Sequence, residues 1–210
     1  KISIAYNGCR EEFKPASQAQ INNIRLQYSE GKPYLLFVGA MHPRKNVHHL
    51  IKGFDWFKDQ TSSDYKLILV GRKAWLTEEI DDAYKNAKHQ SDIIFLPYLD
   101  KEELVRVTSA AWACVAPSYL EGFGVPVLEA LNCDVPVLVS NRFSLPEVAG
   151  PGGLLFEPDD PQSIGQAIMK LYNEKDHSER LNLGRIHRQK FSWSQTAQSV
   201  FEKILKISMS

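Results

Sequence analysis

No apolar run in this 210-residue sequence approaches the ~18 residues that a membrane-spanning helix needs, and no signal peptide stands at its start. Excess charge is lacking too. The 25 Lys and Arg balance the 25 Asp and Glu, so nothing global attracts nucleic acid or an anionic bilayer. Nucleic acid is not an expected partner, and any membrane association is at most peripheral. Cysteine is scarce: Cys9, Cys114 and Cys133 are odd in number and far apart. That suggests neither a disulfide framework nor a zinc site and favours a reducing, cytoplasmic compartment. Repeats and low-complexity tracts are missing. The polar stretch "QTSSD" (60–64) is too short to divide two domains. A methionine at position 1 is also lacking, and "KISIAYNG" already alternates like a strand. The expectation is a piece cut from a longer chain.

What is present is a recurring unit of short apolar run plus helical pattern. "YLLFVGA" (34–40), "KLILVG" (66–71), "DIIFLPYL" (92–99), "WACVAP" (112–117), "VPVLVS" (135–140) and the short "GLLF" (153–156) read as strands. Helices are predicted after the first, with Val47, Leu50, Ile51, Phe54 and Phe57 on one face and Asn46 as N-cap, and over roughly 76–89. Asp100 with Glu103, and Ser192 with Gln195, read as capping boxes. Asp160–Pro161 reads as an N-cap followed by proline in the first turn. A final helix carries Ala197, Val200, Phe201, Ile204 and Leu205 on one face. Strands alternating with helices imply one doubly wound α/β domain, a Rossmann-like parallel sheet of about six strands covered on both faces. Such sheets bind ligands beyond the carboxyl ends of their strands, so the residues just after 39, 71, 98, 117 and 140 matter most.

Two of those loops carry chemistry. After the first strand, "GAMHPRKN" sets Arg44 and Lys45 just before a helix, where cations and outward N–H groups together suit an anion. A solvated charge pair is the plainer alternative. After the fourth strand, "YLEGFGVPVLEAL" holds Glu121 and Glu129, separated by seven apolar, glycine or proline residues. Gly122 and Gly124 free the backbone for close approach, and Pro126 suits the first turn of a helix. Glu129 then lies about one turn into that helix and points back toward its start, so both carboxylates can face one cleft. Glu121 could instead be a helix-start charge worth ~0.3–1 kcal/mol, with Glu129 on a solvated face. The apolar neighbours Val125, Val127, Leu128 and Leu131 oppose this, because burying an unpaired carboxylate costs several kcal/mol. N–H donors and carboxylate acceptors together fit a ligand with phosphates and hydroxyls, such as a nucleotide sugar. A glycosidase acid and nucleophile, ~5–5.5 Å apart, is a further alternative.

These stretches resemble a known family. "PSYLEGFGVPVLEAL" looks like the E-x7-E segment of glycosyltransferase family 4, the retaining group 1 transferases of the GT-B fold, and "VGAMHPRKN" is similar to their phosphate-binding loop. "FLPYLDKEEL", "SNRFSLPEVAGPGGLLFEPDDP" and "FSWSQTA" follow in the same order, and "ISIAYNGCREEFKP" resembles the segment that links the two GT-B domains. The resemblance implies the donor-binding, C-terminal half of such an enzyme. Residues 1–30 would be linker and first helix, 31–191 the nucleotide-sugar domain, and 192–210 a helix crossing back to an N-terminal domain that precedes Lys1. That helix's apolar face would be partly exposed or folded onto this domain.

It also implies roles. Arg44 and Lys45, beside Gly39, would hold the donor diphosphate. Glu121 would sit near the sugar. Gly122, Phe123, Gly124 and Val125 would supply backbone donors, and Glu129 would accept from the ribose hydroxyls. The backbone around Tyr98 and Leu99 would meet the base. Glu121, Arg44 and Lys45 would serve catalysis, with no metal or other cofactor. The "PRKN", "GRKAW" and "FSW" stretches resemble mannosyltransferases that use GDP-mannose. Alternatives are a UDP-sugar donor such as UDP-glucose, an epimerase of UDP-sugars, or a nucleotide-sugar-binding module without transfer. The acceptor would be a saccharide or lipid-linked oligosaccharide met through the N-terminal domain, in the cytoplasm or at the inner face of the membrane. Two positions depart from the pattern: Ala40 stands where many members have arginine, and Asp134 where many have glycine. Asp134 is expected to tolerate a left-handed turn.

Overall fold

The structure is a computed structural model and describes residues 4–72 and 78–208. Its elements in chain order are α1 (Gln18–Ser29), β1 (Tyr34–Val38), α2 (Val47–Thr61), β2 (Lys66–Val70), α3 (Glu78–Lys85), β3 (Ile93–Leu96), α4 (Lys101–Ser109) and β4 (Ala113–Ala116). They continue with α5 (Val125–Asn132), β5 (Val137–Ser140), α6 (Leu145–Ala149), β6 (Leu154–Phe156), α7 (Pro161–Asn173), α8 (Ser178–Arg188) and α9 (Trp193–Ser208). The strands form one sheet in the order β3-β2-β1-β4-β5-β6, and every pairing is parallel.

The sheet is buried on both faces, which explains why its strands lack apolar–polar alternation. One face sets Leu36, Ile68, Cys114, Val137 and Val139 against Val107 of α4, Leu128 of α5 and Val148 of α6. The other sets Leu35, Phe37, Leu67, Leu69, Val115 and Leu138 against α2, α3 and α7 through Leu50, Phe54, Ile80, Ile164 and Ile168. Strand order reverses between β1 and β4, the switch point where an open α/β sheet forms its ligand crevice. The loops that follow these two strands are the two that carry Arg44, Lys45 and Glu121.

The structure corrects several expectations. Residues 4–8 of the "KISIAYNG" stretch form no strand, because no neighbouring strand offers them a ladder; residues 1–3 lie outside the described residues. The helix expected at 76–89 is α3, which ends at Lys85, where Asn86 turns its side chain back onto the Asp82 carbonyl. Residues 76 and 77 are again outside the described ones, as are Lys73 to Trp75 of "GRKAW". Asn46 holds the N-cap position of α2 but makes no capping bond. Its amide instead donates to Pro117 O (3.1 Å) and Pro158 O (2.7 Å), tying the loop after β1 to two other loops. Both capping boxes are half-formed. Asp100 and Ser192 accept from the expected N–H groups, but Glu103 is taken by Tyr28 and Arg106, and Gln195 by the Gln189 carbonyl. Asp134 does sit in the left-handed region, at φ 56°, and is braced by Arg185 and Arg188. On α9, Val200, Phe201, Ile204 and Leu205 are exposed.

Candidate functional site

The site grows from the two loops at the switch point. A short 3-10 turn, Pro43–Lys45, follows β1 and presents Arg44 and Lys45 side by side. The loop after β4 comes to meet it, and Tyr119 N donates to Arg44 O at 2.9 Å. Glu121 lies where they join. Its carboxylate accepts from Lys45 Nζ, from the Ser118 hydroxyl at 2.7 Å and from Arg44 Nη1 at 3.3 Å. Arg44 also donates to Leu120 O at 2.9 Å. Burial alone would push the Glu121 carboxyl up, but Lys45, Ser118 and Arg44 outweigh it and hold the group below the usual range. Lys45 and Glu121 keep only 14% of their side-chain surface each, whereas Arg44 keeps 45%. Arg44 is the more exposed of the two cations.

The glycines do different work. Gly124 is the N-cap of α5 with φ 105°, a conformation side chains rarely adopt, and a Cβ there would lie 2.9 Å from Leu145. Gly122 is different: a Cβ would meet nothing within 4 Å, so no contact in the protein requires glycine there. Phe123 turns inward onto Phe191, with ring centroids 5.7 Å apart. Pro126 occupies the first turn of α5, as expected, and Val125 beside it is exposed. Ser144, after β5, braces the loop by donating to Glu121 O at 2.9 Å.

A cleft of about 450 Å³ opens beside this cluster, at the carboxyl ends of β1, β2 and β3. Val38, Gly39, Ala40, Val70, Gly71, Arg72, Tyr98, Leu99 and Leu104 line it. Gly71 is needed here, since a Cβ would come within 2.0 Å of the Gly39 carbonyl oxygen. The Tyr98 ring stands exposed with the Arg72 guanidinium 5.2 Å from its centroid. Tyr98, Leu99 and Gly39 therefore share one cleft, next to the Arg44–Lys45–Glu121 cluster.

Glu129 is separate. Its carboxylate, 5% exposed, accepts from Arg10 Nη2 at 2.8 Å, and it has no partner in common with Glu121. Burial raises its carboxyl above the usual range despite the pull of Arg10. Buried glutamate predicted a partner, but not which one. Arg10 is 119 residues away, in a segment without regular structure, and no local pattern points to it. Ser144 was equally hidden, because it acts through a tertiary contact; Asn46 was read only as a cap, and Ser118 reaches Glu121 from three residues before it in the same loop. Among the described residues no cluster of three or more His, Cys, Asp or Glu is placed to hold a metal ion, and no helix is long and apolar enough to cross a membrane.

Comparison with known proteins identifies the family. The family profile described as glycosyl transferases group 1 matches residues 20–189. The O-antigen chain mannosyltransferase B of Escherichia coli is 33% identical over 195 residues, covering 91% of this chain and 51% of that protein. The O-antigen chain mannosyltransferase RfbU of Salmonella typhimurium is 32% identical, covering 87% of this chain and 47% of its own length. The chain thus spans about half the length of these relatives. In fold it superposes on the C-terminal domain of a glycosyl transferase group 1 protein from Francisella tularensis, with a TM-score of 0.69, 21% identity, 86% of this chain and 94% of that one. It is also similar in fold to HepE from Anabaena, with a TM-score of 0.83, 20% identity, 96% of this chain and 56% of that one. A profile match over most of the length, on a six-stranded parallel sheet with this loop arrangement, places the chain among the group 1 glycosyl transferases.

Proposed function

We propose that this chain binds the nucleotide-sugar donor of a retaining glycosyltransferase, and that the donor is GDP-mannose. The observation that carries the donor-site reading is the cluster at the switch point. Two cations from one loop and a carboxylate from another converge beside a glycine-started helix and an open cleft. In this reading Arg44 and Lys45 take the donor diphosphate, with the start of α5 adding N–H groups from Gly122 to Val125. Glu121 orients the sugar, Glu129 accepts from the ribose hydroxyls, and the cleft at Gly39, Tyr98 and Leu99 takes the base. The mannose assignment is supported by the relatives named as mannosyltransferases.

The chemistry follows from charge. The acceptor hydroxyl oxygen bonds to the anomeric carbon on the face that the diphosphate leaves. The bond between that carbon and the phosphate oxygen breaks, and the acceptor proton passes to a departing phosphate oxygen. Negative charge grows on the diphosphate, and Arg44 and Lys45 are aimed at it; fixed cations of this kind supply much of the rate of such transfers. The reading calls on no metal, since the two side chains supply the neutralisation. The acceptor, a saccharide or lipid-linked oligosaccharide, would meet this half through the remainder of the protein.

Thermal unfolding of the whole protein with GDP, UDP and their sugars tests the donor, because a ligand that binds only the folded state raises Tm. GDP is expected to raise it more than UDP. A larger shift with UDP overturns the mannose donor and leaves the donor site standing. Product analysis with GDP-mannose and a saccharide acceptor is expected to give a glycoside. Epimerised free sugar without an acceptor would replace the transferase reading by an epimerase.

A further inference from the structure

We infer that Arg10 is a positioning residue for donor binding: it holds the Glu129 carboxylate oriented and ionised, ready to accept from the ribose. This rests on the reading of Glu129 as the ribose acceptor. Arg10 lies outside residues 20–189, the span that the family profile matches. Its placement is nevertheless built. The Phe13 N–H closes a turn onto Arg10 O at 3.2 Å, Phe13 is buried, and the Arg10 guanidinium stands 5.2 Å from the centre of its ring. From that perch Nη2 reaches Glu129 Oε1 at 2.8 Å. Arg10 uses one of the carboxylate's roughly four acceptor sites and leaves the others for hydroxyl donors.

Among the described residues no other cation does this work. Arg188 of α8, the neighbouring cation, is committed to Asp134 at 2.8 Å and to the Leu131 carbonyl. Glu147 of α6 is engaged by the Tyr6 hydroxyl. Besides Arg10, the groups whose titration the Glu129 charge shifts among the described residues are three thiols: Cys9 beside Arg10, Cys114 on β4 and Cys133 at the end of α5. Burial pushes them up to about 11, about 12 and about 12, so all stay neutral near physiological pH. Glu129 itself already sits above the usual carboxyl range with Arg10 in place, and Arg10 is the one charged group that opposes the burial. Removing that charge raises it further. A protonated carboxyl has lost an acceptor and offers a donor where the ribose also offers donors.

The test is titration calorimetry of GDP into the whole protein, carrying Arg10→Ala, Arg10→Lys or Glu129→Gln, at about pH 6 and about pH 8.5, which bracket neutrality above the usual carboxyl range. Each affinity is read as a ratio to wild type at the same pH, which cancels the titration of the diphosphate. Arg10→Ala is expected to bind about tenfold more weakly, the scale of a lost charge-assisted hydrogen bond, with the larger loss at the lower pH because losing the cation raises the carboxyl further. Arg10→Lys keeps the charge and is expected to restore the flat profile. Equal loss at both pH values without rescue by lysine means a merely structural role and overturns the inference, as does no loss at all. Glu129→Gln is the control for the underlying reading. If it leaves GDP affinity unchanged, the ribose assignment fails; if it weakens binding while Arg10→Ala does not, only the Arg10 inference fails.

Discussion

Glu121 and Glu129 belong to one loop-and-helix unit, yet the fold treats them in opposite ways. Both are largely buried, and burial raises a carboxyl wherever it occurs. Glu121 meets three donors, two of them cations, and ends below its ordinary range. Glu129 meets one cation, itself 46% exposed, and ends above it. The comparison teaches that the number of donors, rather than depth, decides the direction of the shift. It also separates two settings: a carboxylate held between two cations, and one that depends on a distant arginine.

The largest effect is expected on the Glu121 side. Lys45→Ala removes the cation most buried against Glu121 and, on the proposed reading, should lower kcat by about a hundredfold, the scale for losing one fixed donor to transition-state charge. It should also weaken nucleoside diphosphate binding at least about tenfold, as should Arg44→Ala, since a hydrogen bond to a charged group is worth ~1.5–3 kcal/mol. Unchanged affinity in both would remove these residues from the site.

The next contrast is between the glutamates themselves. Glu129→Gln should weaken GDP and GDP-mannose by a similar factor of roughly ten. Glu121→Gln should leave GDP affinity nearly unchanged and lower kcat rather than raise KM, the mark of an interaction made in the transition state. Equal loss of GDP affinity in both variants would erase the distinction.

Stability offers the same comparison with opposite signs. Glu121 has its folded value lowered, so its contribution is complete above the ordinary carboxyl range and is lost as pH falls through the lowered value. Glu129 has its folded value raised, so its contribution is present below the ordinary range and lost as pH rises through the raised value. At neutral pH, Glu121→Gln strands Lys45 and should lower Tm by about 2–4 °C, whereas Glu129→Gln should raise it by about 1 °C. Calorimetric scans at pH 7 check both; a shift of the same sign would break the contrast. The smallest effect on stability is expected at Gly122. Its Cβ site is empty, so Gly122→Ala should leave Tm within about 1 °C and, on the proposed reading of this backbone as a donor contact, weaken donor binding.

Much of this was legible in the sequence, for physical reasons. Strands buried on both faces are continuous apolar runs, so β1, β2 and β4 were readable to within a residue or two. The α5 start was readable because Gly124 and Pro126 carry local conformational demands. Two helices were not foreseen. α6 is five residues long, and α8 buries little beyond Gly184 and His187, too narrow a stripe to register as periodic. The strand reading of the first eight residues failed because alternation cannot supply a pairing partner. Arg44, Lys45 and Glu121 were singled out because strand ends mark where a parallel sheet binds, and the structure brings the three together. Arg10 was not, since its role exists only once the segment has folded against α5.

The reversal of strand order at β1 and β4 has a consequence for how this protein assembles. Lys45 and Glu121 are 76 residues apart in the chain and meet only after β4 has paired beside β1. Closing so long a loop is among the slower events available to a folding domain. Nucleotide binding should therefore appear late in refolding, after the helices have formed. A bound nucleotide's signal would then count finished molecules, leaving out those that are compact but still lack the central pairing.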